Sequence, residues 1–135
     1  MRKILMILLL LPMMGIKTFA QDKSNFSLTE THWILTNLND KVINKNEEGL
    51  ESFIVFSSDK TFKGFGGCNK YQGNYLIEKG KLTCEKIGAT KMECENDNNE
   101  EEFLKTLGKV VSFKISKNQL MLKDKNKTIA VFESK

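Results

Sequence analysis

Gly64-Phe65-Gly66-Gly67-Cys68-Asn69-Lys70-Tyr71-Gln72-Gly73-Asn74-Tyr75 is the stretch of this chain whose reading decides its fold. Glycines at 64, 66, 67 and 73 ask for a backbone that bends sharply or lies close against another segment. A phosphate-cradling loop would need a GK[ST] run or a helix start after its glycines, and neither follows. Instead Tyr71, Gly73, Tyr75 and Ile77 recur at every second residue, the period of one strand face. The segment therefore reads as a bulge and tight turn at a barrel corner, leading into a strand. Glu78-Lys79-Gly80-Lys81 reads as a hairpin loop, with Leu82 and Cys84 opening the return strand.

The same period continues on both sides. Trp33 and Leu35 alternate with His32 and Ile34, and a polar turn follows at 39–41. Phe53-Ile54-Val55-Phe56 is a short apolar run that reads as a strand buried on both faces, and 57–60 turns it into Thr61–Gly66. One segment departs from this pattern. Asn98 is placed to cap a helix, with Glu101 completing a capping box and Phe103, Leu104 and Leu107 forming an apolar stripe that Gly108 ends. Val111, Phe113 and Ile115 then alternate with Ser112, Lys114 and Ser116. Leu120 and Leu122, then Ile129 and Val131, mark two last strands joined by a turn at 124–127. The expected fold is mainly β with one packed helix (α+β): an antiparallel barrel-like or strongly curved sheet of seven or eight strands.

The first twenty residues read differently. Arg2 and Lys3 precede an apolar run, and Thr18-Phe19-Ala20 supplies small residues three and one before a cut, the order of a secretory signal peptide. Residues 1–20 are thus read as a signal peptide cleaved after Ala20, 21–30 as a short polar leader and 31–135 as the domain. The expected destination is secreted or periplasmic. No Cys lies near the cut to carry a lipid, so no stable membrane anchor is expected after cleavage. The whole chain has a formal charge of +4, but three of its 21 basic residues and none of its 17 acids fall within 1–20. The mature chain is therefore nearly neutral at +1, and it loses Arg2, its only arginine. Arginine is the fork-shaped donor favoured for phosphate and guanine, so a nucleic-acid role is not expected.

The motifs Trp33-x-Leu35, Gly66-Gly67-Cys68-Asn69-x-Tyr71-x-Gly73-x-Tyr75, Thr90-x-Met92-x-Cys94, Glu100-x-x-Phe103-Leu104-x-x-Leu107 and Leu120-x-Leu122 occur in this order. Together they resemble the META domain, also called the HslJ-like heat-shock family, over residues 31–132. The resemblance implies a small β-rich barrel with one helix, usually exported to the bacterial envelope. It also implies a role in stress response or drug tolerance, and no catalytic residues. Three cysteines in an exported chain allow one internal bridge. The resemblance places Cys68 and Cys94 on its motifs and so favours their pairing, with pairings through Cys84 as the alternatives. Cys84 departs from the family pattern and reads as a small buried hydrophobe.

Other chemistry finds little support. A catalytic thiol needs a base, and His32 is the only histidine; its alternation with Trp33 turns it to solvent. Three cysteines and His32 contain no C-x₂₋₄-C knuckle for zinc. Six acids between Glu93 and Glu102 lack the order of a calcium loop and suit a helix N-terminus instead. No cofactor, metal or enzymatic activity is expected. The chain reads as a monomeric, non-enzymatic binding or structural module whose partner is an envelope protein or a small ligand. The alternative is a barrel that holds an apolar small molecule in a hollow interior, with Tyr71 and Tyr75 at its mouth.

Overall fold

In a computed structural model, residues 26–96 and 99–135 are described, so the stretch read as a signal peptide lies outside them. The chain forms β1 (Trp33–Leu38), β2 (Lys41–Val42), β3 (Phe53–Phe56), β4 (Thr61–Phe65), β5 (Lys70–Glu78) and β6 (Lys81–Ala89). The helix α1 (Glu100–Leu107) follows, then β7 (Ser112–Ser116), β8 (Gln119–Asp124) and β9 (Lys127–Ser134). Every pairing between these named strands is antiparallel, and β1 meets β9 as well as β3, so the sheet closes on itself. Eight strands make the ring; β2, in the stretch read as a polar turn, adds a ninth beside the end of β1. At the β5–β6 hairpin, Lys79 and Gly80 both take positive φ (51° and 77°), the conformation a two-residue type I′ turn requires.

Alternation decides what points inward. Phe62 and Gly64 on β4, Tyr71, Gly73 and Tyr75 on β5, and Leu82 and Cys84 on β6 are buried, with polar neighbours outside. The interior is filled by aromatic rings in contact. Phe56 meets Tyr75 edge-on at 5.2 Å, Tyr71 meets Phe103 at 5.6 Å, and Phe103 meets Phe132 at 6.1 Å. Phe103 and Leu107 of α1 enter this cluster, so the helix acts as a stopper on the barrel. The alternative reading, a barrel with a hollow interior, finds no support: the clefts found among the described residues open on the outside of a packed barrel.

Several local readings are corrected too. β3 is not buried on both faces: Ile54 and Phe56 point in, while Phe53 and Val55 lie half-buried outside. Ile77, near the hairpin end of β5, lies outside the core at 40% exposed, although its register partner Leu82 is buried. In β9 Ile129, Ala130 and Phe132 are buried while Val131 is half-buried outside, because a bulge at Ile129, opposite Leu122/Lys123, shifts the phase by one residue. The polar leader is partly domain: Leu28 is buried in the core, and its carbonyl accepts the Trp33 indole N–H at 3.0 Å. Asn98 lies outside the described residues. The N-cap is Asn99, in a left-handed conformation without a side-chain capping bond. Glu101 closes no capping box; it pairs instead with Lys105, one turn along, at 2.8 Å.

Candidate functional site

The glycine-rich corner is built around one carboxylate. Glu100, the first residue of α1, is only 6% exposed, and its side chain turns from the helix towards Gly66–Asn69. Its Oε2 accepts the backbone N–H of Cys68 (2.8 Å) and of Asn69 (2.6 Å), and its Oε1 accepts Asn69 Nδ2 (2.7 Å). Gly66 must be glycine here, since a Cβ would stand 2.7 Å from both Cγ and Oε2 of Glu100. Gly67 carries the turn at φ 122°. Asn69 then uses its Oδ1 to accept Thr90 Oγ1 (2.9 Å) and Met92 N–H (2.7 Å). Cys68 and Cys94 are joined by a disulfide, their Cα atoms 6.0 Å apart. With 26 residues of separation, loop entropy puts its contribution at about 3.5 kcal/mol. Three of the five family motifs thus meet at one point, held by charge-assisted hydrogen bonds and a covalent bond.

The acidic run is not one cluster. Glu100 anchors the corner, Glu101 pairs with Lys105, and Glu102 accepts Asn39 Nδ2 (3.0 Å) and Lys41 Nζ (2.9 Å). The bonds from Asn39 and Lys41 hold the Glu102 carboxyl below its ordinary range. Among the described residues, no group of three His, Cys, Asp or Glu side chains is gathered as metal ligands would be.

A second feature lies on the outer face. Register places Ile34 opposite Phe53, Phe53 opposite Phe65 and Phe65 opposite Lys70, so Phe53, Phe65 and Lys70 form a row across β3, β4 and β5. The His32 ring stacks on Phe53 at 4.2 Å and extends the row. With Leu50 above and Lys45 and Lys63 at the rim, these residues line an open cleft of about 770 Å³. Its one acid, Glu51, is engaged by Lys135 at 2.7 Å and Lys45 at 3.7 Å. The loop that carries Leu50 is fixed to the corner by Asn46, whose Nδ2 donates to the Gly67 carbonyl (3.1 Å) while its Oδ1 accepts Leu50 N–H (2.8 Å).

The profile of the META domain matches residues 26–135. The chain belongs to the META domain family. An NMR structure of a protein from Burkholderia xenovorans shares the fold, with a TM-score of 0.67 at 24% identity, over 80% of this chain and 83% of that one. A crystal structure of a DUF4847 family protein from Bacteroides vulgatus ATCC 8482 aligns with a TM-score of 0.53 at 16% identity, covering 78% of this chain and 93% of that one. At these identities the likeness is one of fold. No curated protein matches the chain.

Within this META domain, Tyr71 is among the residues lining the outer cleft, while both it and Tyr75 lie almost wholly in the packed interior. They are 3% and 1% exposed, and their hydroxyls donate to the carbonyls of Phe53 (2.8 Å) and Ser57 (2.6 Å). Burial pushes both phenols above their ordinary range. Cys84 is free and buried, its thiol pushed up to about 12 by burial. A buried neutral thiol of this kind is a packing group rather than a nucleophile. His32 is exposed, as its alternation with Trp33 predicts, with its ring stacked on Phe53, and it sits on the outside while Cys84 points in.

These three shifts set an alkaline limit. Each raised group stays protonated in the folded state at a pH where the unfolded chain has released its proton. The stability they protect is complete below the unfolded values and is lost as pH rises through the folded ones. For Cys84 the window runs from its reference value of 9.0 to about 12. Urea midpoints of the oxidised domain should therefore fall steadily above pH 9, by about 1.4 kcal/mol per pH unit from Cys84 alone. Cys84→Ala should shallow that fall between pH 9 and 10, and an unchanged slope would contradict the assignment.

Proposed function

We propose that this META domain is an exported, non-enzymatic binding module of the cell envelope. Its ligand is a small molecule with an apolar, ring-bearing body and an anionic group. The observation that carries this reading is the outer cleft: a row of half-buried rings ending in Lys70, with Lys63 and Lys45 beside it and its one acid already paired. Apolar walls with a few placed cations are the usual make-up of a small-molecule site. The filled barrel supports placing the ligand on the outer face rather than in the interior, where the alternative reading had put it. The non-enzymatic reading is supported by an inert buried thiol, a histidine stacked elsewhere and a buried acid whose oxygens already accept three donors. A stress-response or drug-tolerance role, as the family resemblance implies, is part of the same proposal.

The probe is anilinonaphthalene sulfonate, an aromatic anion whose fluorescence rises on transfer from water. Titration of the oxidised 21–135 domain should saturate at one site, and the Lys63→Glu/Lys70→Glu variant should bind about tenfold more weakly with an unchanged melting midpoint. The uncharged analogue phenylnaphthylamine should bind wild type and variant alike. Absence of saturable binding, or binding that ignores both lysines, would overturn the cleft as a ligand site. The export half is checked by intact mass: the exported chain should begin at Gln21, and one that retained Met1 would refute it.

A further inference from the structure

The ring is not equally closed all round. β6 pairs with β5 along its whole length, from Lys81 opposite Glu78 to Ala89 opposite Tyr71. Its other edge meets β7 only where Lys81 faces Ser112, and one further bond runs from Leu82 N–H to the Val111 carbonyl at 3.1 Å. Beyond Leu82 that edge faces the groove in front of α1.

Register shows which groups are turned to the groove. Asn74 pairs with Glu85 and Gln72 with Gly88, so Lys86, at φ 53°, and Ile87 together oppose Gly73 as a bulge. Past the bulge, Gly88 is in register with Gln72, and Thr90 N–H donates to the Lys70 carbonyl at 3.0 Å, so both face β5. The two-residue period then directs the N–H and C=O of Ile87, Ala89 and Lys91 the opposite way, where no strand stands among the described residues. This strip is about 13 Å long at the usual rise of a strand. It forms one wall of a groove of about 790 Å³, with Ile87, Ala89 and Met92 on one side and Glu101, Leu104 and Lys105 on the other. Ile87, Ala89 and Leu104 are only partly buried, and Met92 is 61% exposed. The disulfide and the Asn69 bonds to Thr90 and Met92 fix the strip in place beforehand.

We propose that this open edge of β6 receives an extended segment of a partner protein as an added strand, residues 87–91 supplying the pairing and Leu104 the opposite wall. The repeat of donors and acceptors at every second residue matches a polypeptide backbone. Alternate side chains of that segment would face Ile87 and Leu104, which favours small or β-branched apolar residues at every second position. A second copy of the chain is disfavoured as the occupant, because it would bring its own α1 to the same edge and because the Lys86 bulge breaks long edge-to-edge pairing.

The test uses the oxidised, ¹⁵N-labelled 21–135 domain and a capped heptapeptide of sequence KTVTVTK, with a counterpart N-methylated at its five central residues. The free peptide should shift the amide signals of Ile87, Ala89 and Lys91 and slow their exchange about tenfold at saturation. The N-methylated peptide should do neither, and Leu104→Arg should abolish the effect while leaving the melting midpoint unchanged. Three results would overturn the proposal. One is no shift at these amides up to about 5 mM peptide; another is equal binding of the N-methylated form. The third is protection that grows with protein concentration without peptide, which would make the edge a self-association surface.

Discussion

Glu100→Ala is expected to lower the stability of the oxidised domain by about 3–5 kcal/mol, although it removes a charged residue at the start of a two-turn helix. The carboxylate satisfies three donors in a dry corner: two backbone N–H groups, of Cys68 and Asn69, and the Asn69 amide. Alanine leaves them without an acceptor, and each orphaned buried donor costs about 1–3 kcal/mol. Relief from burying a charge offsets part of that sum. Glu100→Gln separates the contributions. Its oxygen can still accept both backbone N–H groups from the Oε2 position, but its NH₂ then confronts the Asn69 NH₂. Asn69 cannot flip to relieve this, because its Oδ1 already accepts Thr90 and Met92. Glutamine should therefore cost less than alanine, about 1–2 kcal/mol. The readout is the urea midpoint of variants with the disulfide intact. An alanine variant within 1 kcal/mol of wild type, on the order of an ordinary surface change, would show that the corner is held by the disulfide instead.

That residue also marks where sequence reading reached its limit. Period-two alternation gave the barrel, because inward and outward positions on a one-sided sheet differ chemically at every step. It went wrong where the backbone adds a residue. The bulge in β9 exchanged Val131 for Ala130, and at the hairpin end of β5 Ile77 fell outside the core. Glu100 was visible as one acid among six and as the head of a family motif, but not as an anchor, since nothing local separates a carboxylate that reaches across the fold from one that stays in water. The signal that could have found it lay in Gly66, a glycine without positive φ, which needs something pressed against it. The outer cleft was hidden for a similar reason. Phe53 and Phe65 read as core by composition, and only the register shows that they form an external row with Lys70.

The two proposed surfaces share one frame. The corner fixes the 87–92 strip through Asn69 and the disulfide, and it fixes the cleft's Leu50 loop through Asn46. Loss of the corner should therefore loosen both surfaces together, whereas Lys63 and Lys70 act on the cleft and Leu104 on the groove alone. A binding defect that appears at both sites points to the corner rather than to either surface.

Gly64→Ala is expected to be the most damaging single substitution here, lowering stability by more than about 4 kcal/mol and leaving little folded protein. Gly64 sits on the inner face of β4, where the Tyr71 hydroxyl passes to reach the Phe53 carbonyl on the adjacent strand. An alanine Cβ would run into that carbonyl oxygen and lie 2.6 Å from the Tyr71 hydroxyl oxygen. The carbonyl belongs to β3, which is paired on both sides, so relief requires a strand to move rather than a side chain to turn. This distinguishes Gly64 from Gly73, whose Cβ would meet chiefly the Phe62 ring, a group with some freedom to rotate. Gly73→Ala should accordingly cost about 2 kcal/mol. Gly88→Ala, with open space around its Cβ, should stay within about 0.5 kcal/mol of wild type. Tyr71→Phe supplies the deciding comparison. It removes the hydroxyl clash but not the carbonyl clash, so it should not rescue Gly64→Ala. Recovery of the urea midpoint in the double variant would move the obstruction from the backbone of β3 to the side chain of Tyr71.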